Sequence, residues 1–214
     1  MWTATLDGSS PVTGLDLALP LWPVWIYPYS WVFFVGILPL CVVRHLPLFR
    51  RVAMAYSLMV LTALVCFVLV PVQMTHGPGD FPIDSFATWG LALTLWIDTS
   101  ANCFPSLHVA TSVMAALCSA KADALVGRIA WGIAVLIAAS TVLVKQHYAI
   151  DVVGGAALAW GCYRLLVVPV DLSGVPRAEW ALDRRWALVP LVVWFLSVSG
   201  LYLFYQSGWL PPRG

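Results

Sequence analysis

Long apolar runs, separated by short polar stretches, divide the chain into segments of bilayer-spanning length. Six can be drawn, at about residues 21–43, 52–72, 105–120, 129–144, 148–168 and 186–205. A helix needs about 20 mainly apolar residues to cross the hydrocarbon core. Runs such as 54–72 show no period-two alternation, which sets a transmembrane β-barrel aside. The first segment carries Pro23, Pro28 and Pro39 and is expected to be kinked or broken. Residues 86–97, with Trp89 and Trp96, form a seventh apolar stretch that is too short to span. It is expected as a helix lying in the outer interface, after a turn-rich stretch at 75–80.

Composition supports this division. The chain has 214 residues, 61% of them apolar and 10% charged, with a mean hydropathy of +0.88; a soluble domain carries about 25% charged residues. The expected fold is all-α: a polytopic membrane helix bundle of six transmembrane helices, forming a single integral-membrane domain over residues 1–214. The net charge of +1 gives no case for nucleic acid. Its distribution says more. Arg44, Arg50, Arg51, Lys121, Arg128, Arg164, Arg177, Arg184 and Arg185 fall on one side if the six segments alternate, and only Lys145 and Arg213 on the other. The positive-inside rule puts the larger set in the cytoplasm, with both termini outside. No Lys or Arg occurs in the first twenty residues, which argues against a cleavable signal peptide and for a retained first span. The five cysteines have no metal-ligand spacing and read as small buried hydrophobes, with no chemistry assigned to Cys103.

Two short patterns interrupt the hydrocarbon. One is Pro105-Ser106-Leu107-His108; the other is His147-Tyr148-Ala149-Ile150-Asp151, with Ser140 upstream. They lie about one helical hairpin apart, so His108 and His147 are expected at the same membrane level, on the outward side. Pro105 suits the first turn of a helix, and Ser106 then lies among unsatisfied N–H groups at a positive helix end, where anions bind. His147 and Asp151 are four residues apart at the start of another helix and share a face. A carboxylate there can hold one imidazole nitrogen and leave the other nucleophilic. This chemistry suits phosphoryl transfer, one histidine attacking phosphorus and the other protonating the leaving oxygen.

These residues carry a family resemblance. Cys103-Phe104-Pro105-Ser106-Leu107-His108 resembles the second signature of the type 2 phosphatidic acid phosphatase superfamily. Ser140, His147 and Asp151 resemble its third, serine–x6–His–x3–Asp. The resemblance covers about residues 52–168, a catalytic four-helix core, and implies a metal-independent phosphohistidine mechanism with no cofactor. It implies His147 as nucleophile, Asp151 as its orienter and His108 as general acid, with Ser106, Leu107 and Ser140 at the phosphate. The chain departs from the pattern in its cations. Thr141 stands where the family usually has Arg, and the first signature, Lys–x6–Arg–Pro, has no match: Pro78 follows His76-Gly77, and no Lys or Arg lies between Arg51 and Lys121. Lys145 is expected to replace these cations in part as a phosphate ligand, with His76 as a further candidate.

The stretch around Lys145–Val152 also resembles the inositol phosphorylceramide and sphingomyelin synthase branch, which passes a phosphoryl head group to an alcohol. Four readings follow: a lipid phosphatase acting on a phosphate monoester or diphosphate; a lipid phosphotransferase; a metal site of His108, His147 and Asp151; and a non-catalytic relative. The first leads. Its partners are a lipid phosphate, the bilayer and at most a second copy of the chain. A bacterial inner membrane with the site facing the periplasm fits the short loops.

Overall fold

A computed structural model describes residues 12–74, 81–98 and 102–211. Ten α-helices follow in order: α1 (Gly14–Ala18), α2 (Ile26–Ser30), α3 (Val32–Val35), α4 (Leu38–Val42), α5 (Leu46–Leu69), α6 (Phe86–Ile97), α7 (Leu107–Ala122), α8 (Ala124–Leu143), α9 (Ala149–Leu166) and α10 (Val189–Gln206). Single 3₁₀ turns precede α2 and α10, at Pro23–Trp25 and Arg184–Leu188. The fold is an all-α bundle, as expected.

Among the described residues, four helices are long and apolar enough to cross a bilayer: Leu46–Leu69, Ala124–Leu143, Ala149–Leu166 and, counting its 3₁₀ turn, Arg184–Gln206. They make this an integral membrane protein. The other two expected spans differ. Residues 21–43 break into a 3₁₀ turn and three helices of four or five residues. Pro23 and Pro39 each sit in the first turn of a new piece, where the missing N–H costs nothing. The third expected span, α7, has 16 residues. Helix α6 covers residues 86–97 as anticipated, started by Ser85, whose hydroxyl accepts from Thr88 N–H.

Helix α7 forms the centre, packed mainly on α8 and α9 and also on α5, α3 and α4. Its buried face is built of small residues, among them Ala110, Ser112, Ala115, Ala116 and Ser119, which let neighbouring backbones approach without an unfilled gap. One residue, Asp123, ends α7 and caps α8: its Oδ1 accepts from Leu125 N–H (3.1 Å) and Val126 N–H (3.3 Å). The hairpin is tight enough that a Cβ on Gly127 would lie 2.3 Å from Ala120 Cα.

The loops after α4, α7 and α9 meet at one end of the bundle. Ala178 N–H donates to Arg44 O (2.8 Å), Lys121 Nζ to Val168 O (3.0 Å) and Arg184 Nε to Asp123 Oδ2 (2.7 Å). This is the end where the sequence gathers its basic residues. The starts of α7 and α9 and the end of α8 lie at the opposite end.

Candidate active site

Two helix starts are brought together first. Ser106 caps α7, its hydroxyl accepting from Val109 N–H (3.3 Å), while its own N–H donates to the backbone oxygen of Asp151 in α9 (3.1 Å). Such close approach requires glycine: a Cβ on Gly155 would lie 2.3 Å from Ser106 O. Phe104 covers neighbouring Gly154 in the same way. On the other side, residues 144–148 turn from α8 into α9. Gln146 and His147 both donate their N–H to Thr141 O (3.0 and 3.1 Å), which fixes where His147 leaves the turn.

His108 and His147, 39 residues apart, meet there: His108 Nδ1 lies 3.2 Å from His147 Nε2. The same level and face expected from the hairpin spacing are what the fold provides. His147 Nδ1 faces Asp151 Oδ2 at 3.5 Å, with His147 7% exposed and Asp151 fully buried. Asp151 Oδ2 accepts from Tyr148 N–H (2.9 Å), which anchors the carboxylate at the start of α9. At the outer side of His108, the Tyr29 hydroxyl lies 2.8 Å from Nε2, and Asp98 Oδ2 is 4.0 Å from the same nitrogen. One set of proton positions is compatible with the row. Asp151 faces a proton on His147 Nδ1, His147 Nε2 accepts from His108 Nδ1–H, and the Tyr29 hydroxyl donates either to His108 Nε2 (2.8 Å) or to Asp98 Oδ2 (3.5 Å). Two groups remain under-partnered in it: His147 Nδ1 and Asp151 Oδ1 are buried without a hydrogen bond.

The turn carrying His147 is strapped by the N-terminal segment. Lys145 adopts a positive φ of 59°, a left-handed conformation costly for a side chain with a Cβ. Its ammonium donates to the backbone oxygens of Asp16 and Leu19, both at 2.7 Å. Asp16 Oδ1 in turn accepts from Ala149 N–H at the start of α9 (2.9 Å). Burial alone would raise the Asp16 pKa. Hydrogen bonds from Thr13 and Ala149 and the charge of Lys145 outweigh it and hold the carboxyl below its usual range. Asp16 is therefore an ionised cap on α9.

Two cavities open on the imidazoles. A small one of about 190 Å³ is lined by Phe67, Asn102, Cys103, Leu107, Gln146 and His147, with Asp98 and His108. A larger one of about 540 Å³ shares Asp98 and His108 and runs between α3, α6 and α10, walled by Phe33, Trp89, Ile97 and Leu201. Its walls are mainly apolar, with Ser30, Thr94 and Ser197 among them, and its ionisable groups, Asp98 and His108, lie at the site.

The structure brings together His108, His147 and Asp151, with Ser106 alongside and Leu107 in the small cavity. Ser140 is fully buried and its hydroxyl donates to Ile137 O (2.7 Å), so its proton is committed to its own helix. Lys145 is absent from the residues lining either cavity, and its ammonium is taken up by the strap. His76 lies outside the described residues. The metal triad weighed from sequence is not the set that clusters: Cys103, not His108, joins His147 and Asp151, with ligand atoms all within 4.8 Å. Burial and the nearby Asp151 carboxylate push the Cys103 thiol up to about 12. Sequence reasoning also missed Tyr29, Asp98 and Asp16. Tyr29 had one visible signal, a hydroxyl inside an apolar run, where a buried Tyr needs a partner.

The PAP2 superfamily model matches residues 17–165. No curated protein matches the chain, and neither does any solved structure. The match begins well before residue 52, where the motifs alone put the core, and so takes in α2, which supplies Tyr29. It covers most of the chain and every member of the row from Asp151 to Tyr29, and the chain belongs to the PAP2 superfamily.

Proposed function

We propose that this protein is a metal-independent lipid phosphate phosphatase working through a phosphohistidine on His147. Membership in the superfamily supports phosphatase or phosphotransferase chemistry on lipid phosphates; the row of proton-sharing groups supports this assignment of roles. The observation that carries it is the 3.2 Å approach of His108 Nδ1 to His147 Nε2, with a carboxylate behind the second ring. His147 Nε2 attacks phosphorus, and the bond from phosphorus to the lipid oxygen breaks. His108, protonated on both ring nitrogens once the anionic phosphate is bound, gives its Nδ1 proton to that oxygen, and the lipid alcohol leaves. Water then attacks the phosphohistidine, His108 recovers a proton, and phosphate departs. Asp151 keeps the His147 proton on Nδ1 throughout. Ser106 and the amides at the start of α7 bind phosphate oxygens, and Leu107 closes the small cavity beside them. Ser140 contributes after its hydroxyl turns from Ile137 O. The lipid tail takes the apolar cavity between α3, α6 and α10.

By the positive-inside rule the site faces away from the cytoplasm, into the periplasm if the membrane is a bacterial inner membrane. The test is phosphate release in detergent with chelator, from phosphatidate, phosphatidylglycerophosphate and a prenyl diphosphate. Release by wild type and none by His147→Ala is expected. Release that requires an added metal, or that survives His147→Ala, contradicts the reading.

One observation favours a second reading, phosphotransfer to an alcohol. Asp98 and Asp151 flank the imidazoles, and no Lys or Arg lines the cavities among the described residues. A doubly charged monoester is poorly compensated there, whereas a singly charged phosphodiester needs less positive charge. Product that forms only with an added lipid or polyol alcohol identifies this case.

A further inference from the structure

Behind His147 lies a set of donors in which Cys103, unused by the proposed hydrolysis, joins His147 Nδ1 and Asp151. Cys103, His147 and Asp151 are all buried, and their ligand atoms lie within 4.8 Å of one another. Two of those residues carry buried polar atoms without a partner, His147 Nδ1 and Asp151 Oδ1. We propose that Cys103, His147 and Asp151 form an inhibitory site for a thiophilic divalent cation such as Zn²⁺ or Cd²⁺.

The donor set fits that class: one sulfur, one imidazole nitrogen and one carboxylate oxygen, the mixture that four-coordinate zinc accepts. Zinc bonds of about 2.0–2.3 Å in a tetrahedron bring donors to about 3.5 Å apart. His147 Nδ1 and Asp151 Oδ2 already stand at 3.5 Å. Oδ2 can coordinate through its second lone pair while still accepting from Tyr148 N–H, and the unpartnered Oδ1 is the carboxylate's alternative donor. The small cavity, lined by both Cys103 and His147, supplies entry and room for water as a fourth ligand. Binding replaces the S–H proton of Cys103 by a metal bond and sends it to solvent, and the Nδ1 proton of His147 moves to Nε2, so the ring ligates as neutral imidazole.

The inhibitory consequence rests on the phosphohistidine reading; the binding does not. A cation on Nδ1 displaces the proton that Asp151 holds and draws electron density from the ring. Nε2 then carries the ring proton and has no free lone pair with which to attack phosphorus. The site is thus a brake, the opposite of a catalytic metal.

The experiment titrates metal-stripped protein in detergent with Cd²⁺, reading the ultraviolet absorption of a new cadmium–thiolate bond and lipid phosphate turnover in parallel. One Cd²⁺ per chain is expected, with absorption and inhibition rising together and both reversed by chelator. Cys103→Ala and Cys103→Ser should lose the absorption and need about 10–100-fold more metal for half-inhibition, each measured against its own metal-free rate. Absorption retained in both variants would assign the metal to Cys41, Cys66, Cys118 or Cys162 and overturn the proposal. Activation by Cd²⁺ or Zn²⁺, or bound metal without loss of turnover, overturns the brake. If no lipid is turned over at all, the absorption arm alone decides the site, and the phosphatase reading fails separately.

Discussion

The two ends of the bundle carry polar groups in opposite ways. At the basic end, Arg184 meets Asp123 with its side chain 58% exposed, and Arg185 meets Asp183 with both largely in solvent. The Arg185–Asp183 pair, open to solvent, contributes little and tolerates change, whereas Asp123 is itself buried and held by Arg184 and the amides that start α8. At the other end Ser106, His147 and Asp151 are buried, and each group depends on the next. Buried polar groups are costly unless satisfied, and the cost rises when one partner is removed. By the positive-inside rule the charges of the first end would orient the chain; those of the second are held in one geometry, which the proposed chemistry requires.

That contrast can be broken by substitution, starting where the effect is largest. His108→Ala removes the proposed general acid and should lower kcat by about 10²–10⁴-fold; a loss within a few fold would remove His108 from the mechanism. Gly155→Ala puts a methyl against Ser106 O, where backbone must move. Overpacking of this kind costs about 1–3 kcal/mol, so a lower Tm and weaker activity are expected together. An unchanged Tm would mean that α7 and α9 separate freely.

Tyr29→Phe keeps the ring and removes the hydroxyl beside His108 Nε2. A single hydrogen bond of about 0.5–1.5 kcal/mol predicts a roughly 2–12-fold fall in kcat and a displaced pH–rate profile, with KM little changed. Lys145→Met discriminates strap from phosphate ligand. Loss of the strap should lower Tm and kcat with KM held within about twofold, whereas loss of a phosphate ligand raises KM with kcat held. Asp123→Ala, at the far end, should cost about 0.5–2 kcal/mol of stability through the lost α8 cap and leave kcat untouched. The Asp123 carboxyl is held below its usual range: burial raises it, but the Arg184 hydrogen bond and charge and the amides of Val126 and Leu125 prevail. Its stabilisation is therefore present above the unfolded carboxylate pKa and lost as pH falls through the lowered folded value.

Local signals made much of this legible. Prolines announced the broken first segment, and the apolar run 86–97 a helix with those bounds; Pro105, expected in the first turn of α7, instead precedes its cap Ser106, and His147 lies in the turn before α9 and does not open it. The hairpin spacing put His108 beside His147. What stayed hidden lies far away in sequence. Tyr29 reaches His108 across 79 residues, and Lys145 reaches Asp16 across 129. No periodicity encodes such a meeting. The expectation for Lys145 rested on its nearness in sequence to His147; the strap absorbs its charge because a left-handed turn points the side chain at the N-terminal carbonyls. Cys103 looked like one more buried cysteine until Gly155 and Ser106 drew α7 and α9 together.

The most direct test of the central claim is to trap the phosphoenzyme. Protein mixed briefly with a labelled lipid phosphate that it turns over, in chelator, is denatured in base and digested. The account predicts an acid-labile, base-stable phosphoryl label on the peptide containing His147, absent from His147→Ala. Turnover by the wild type with no such label, or a label on another residue, would contradict it.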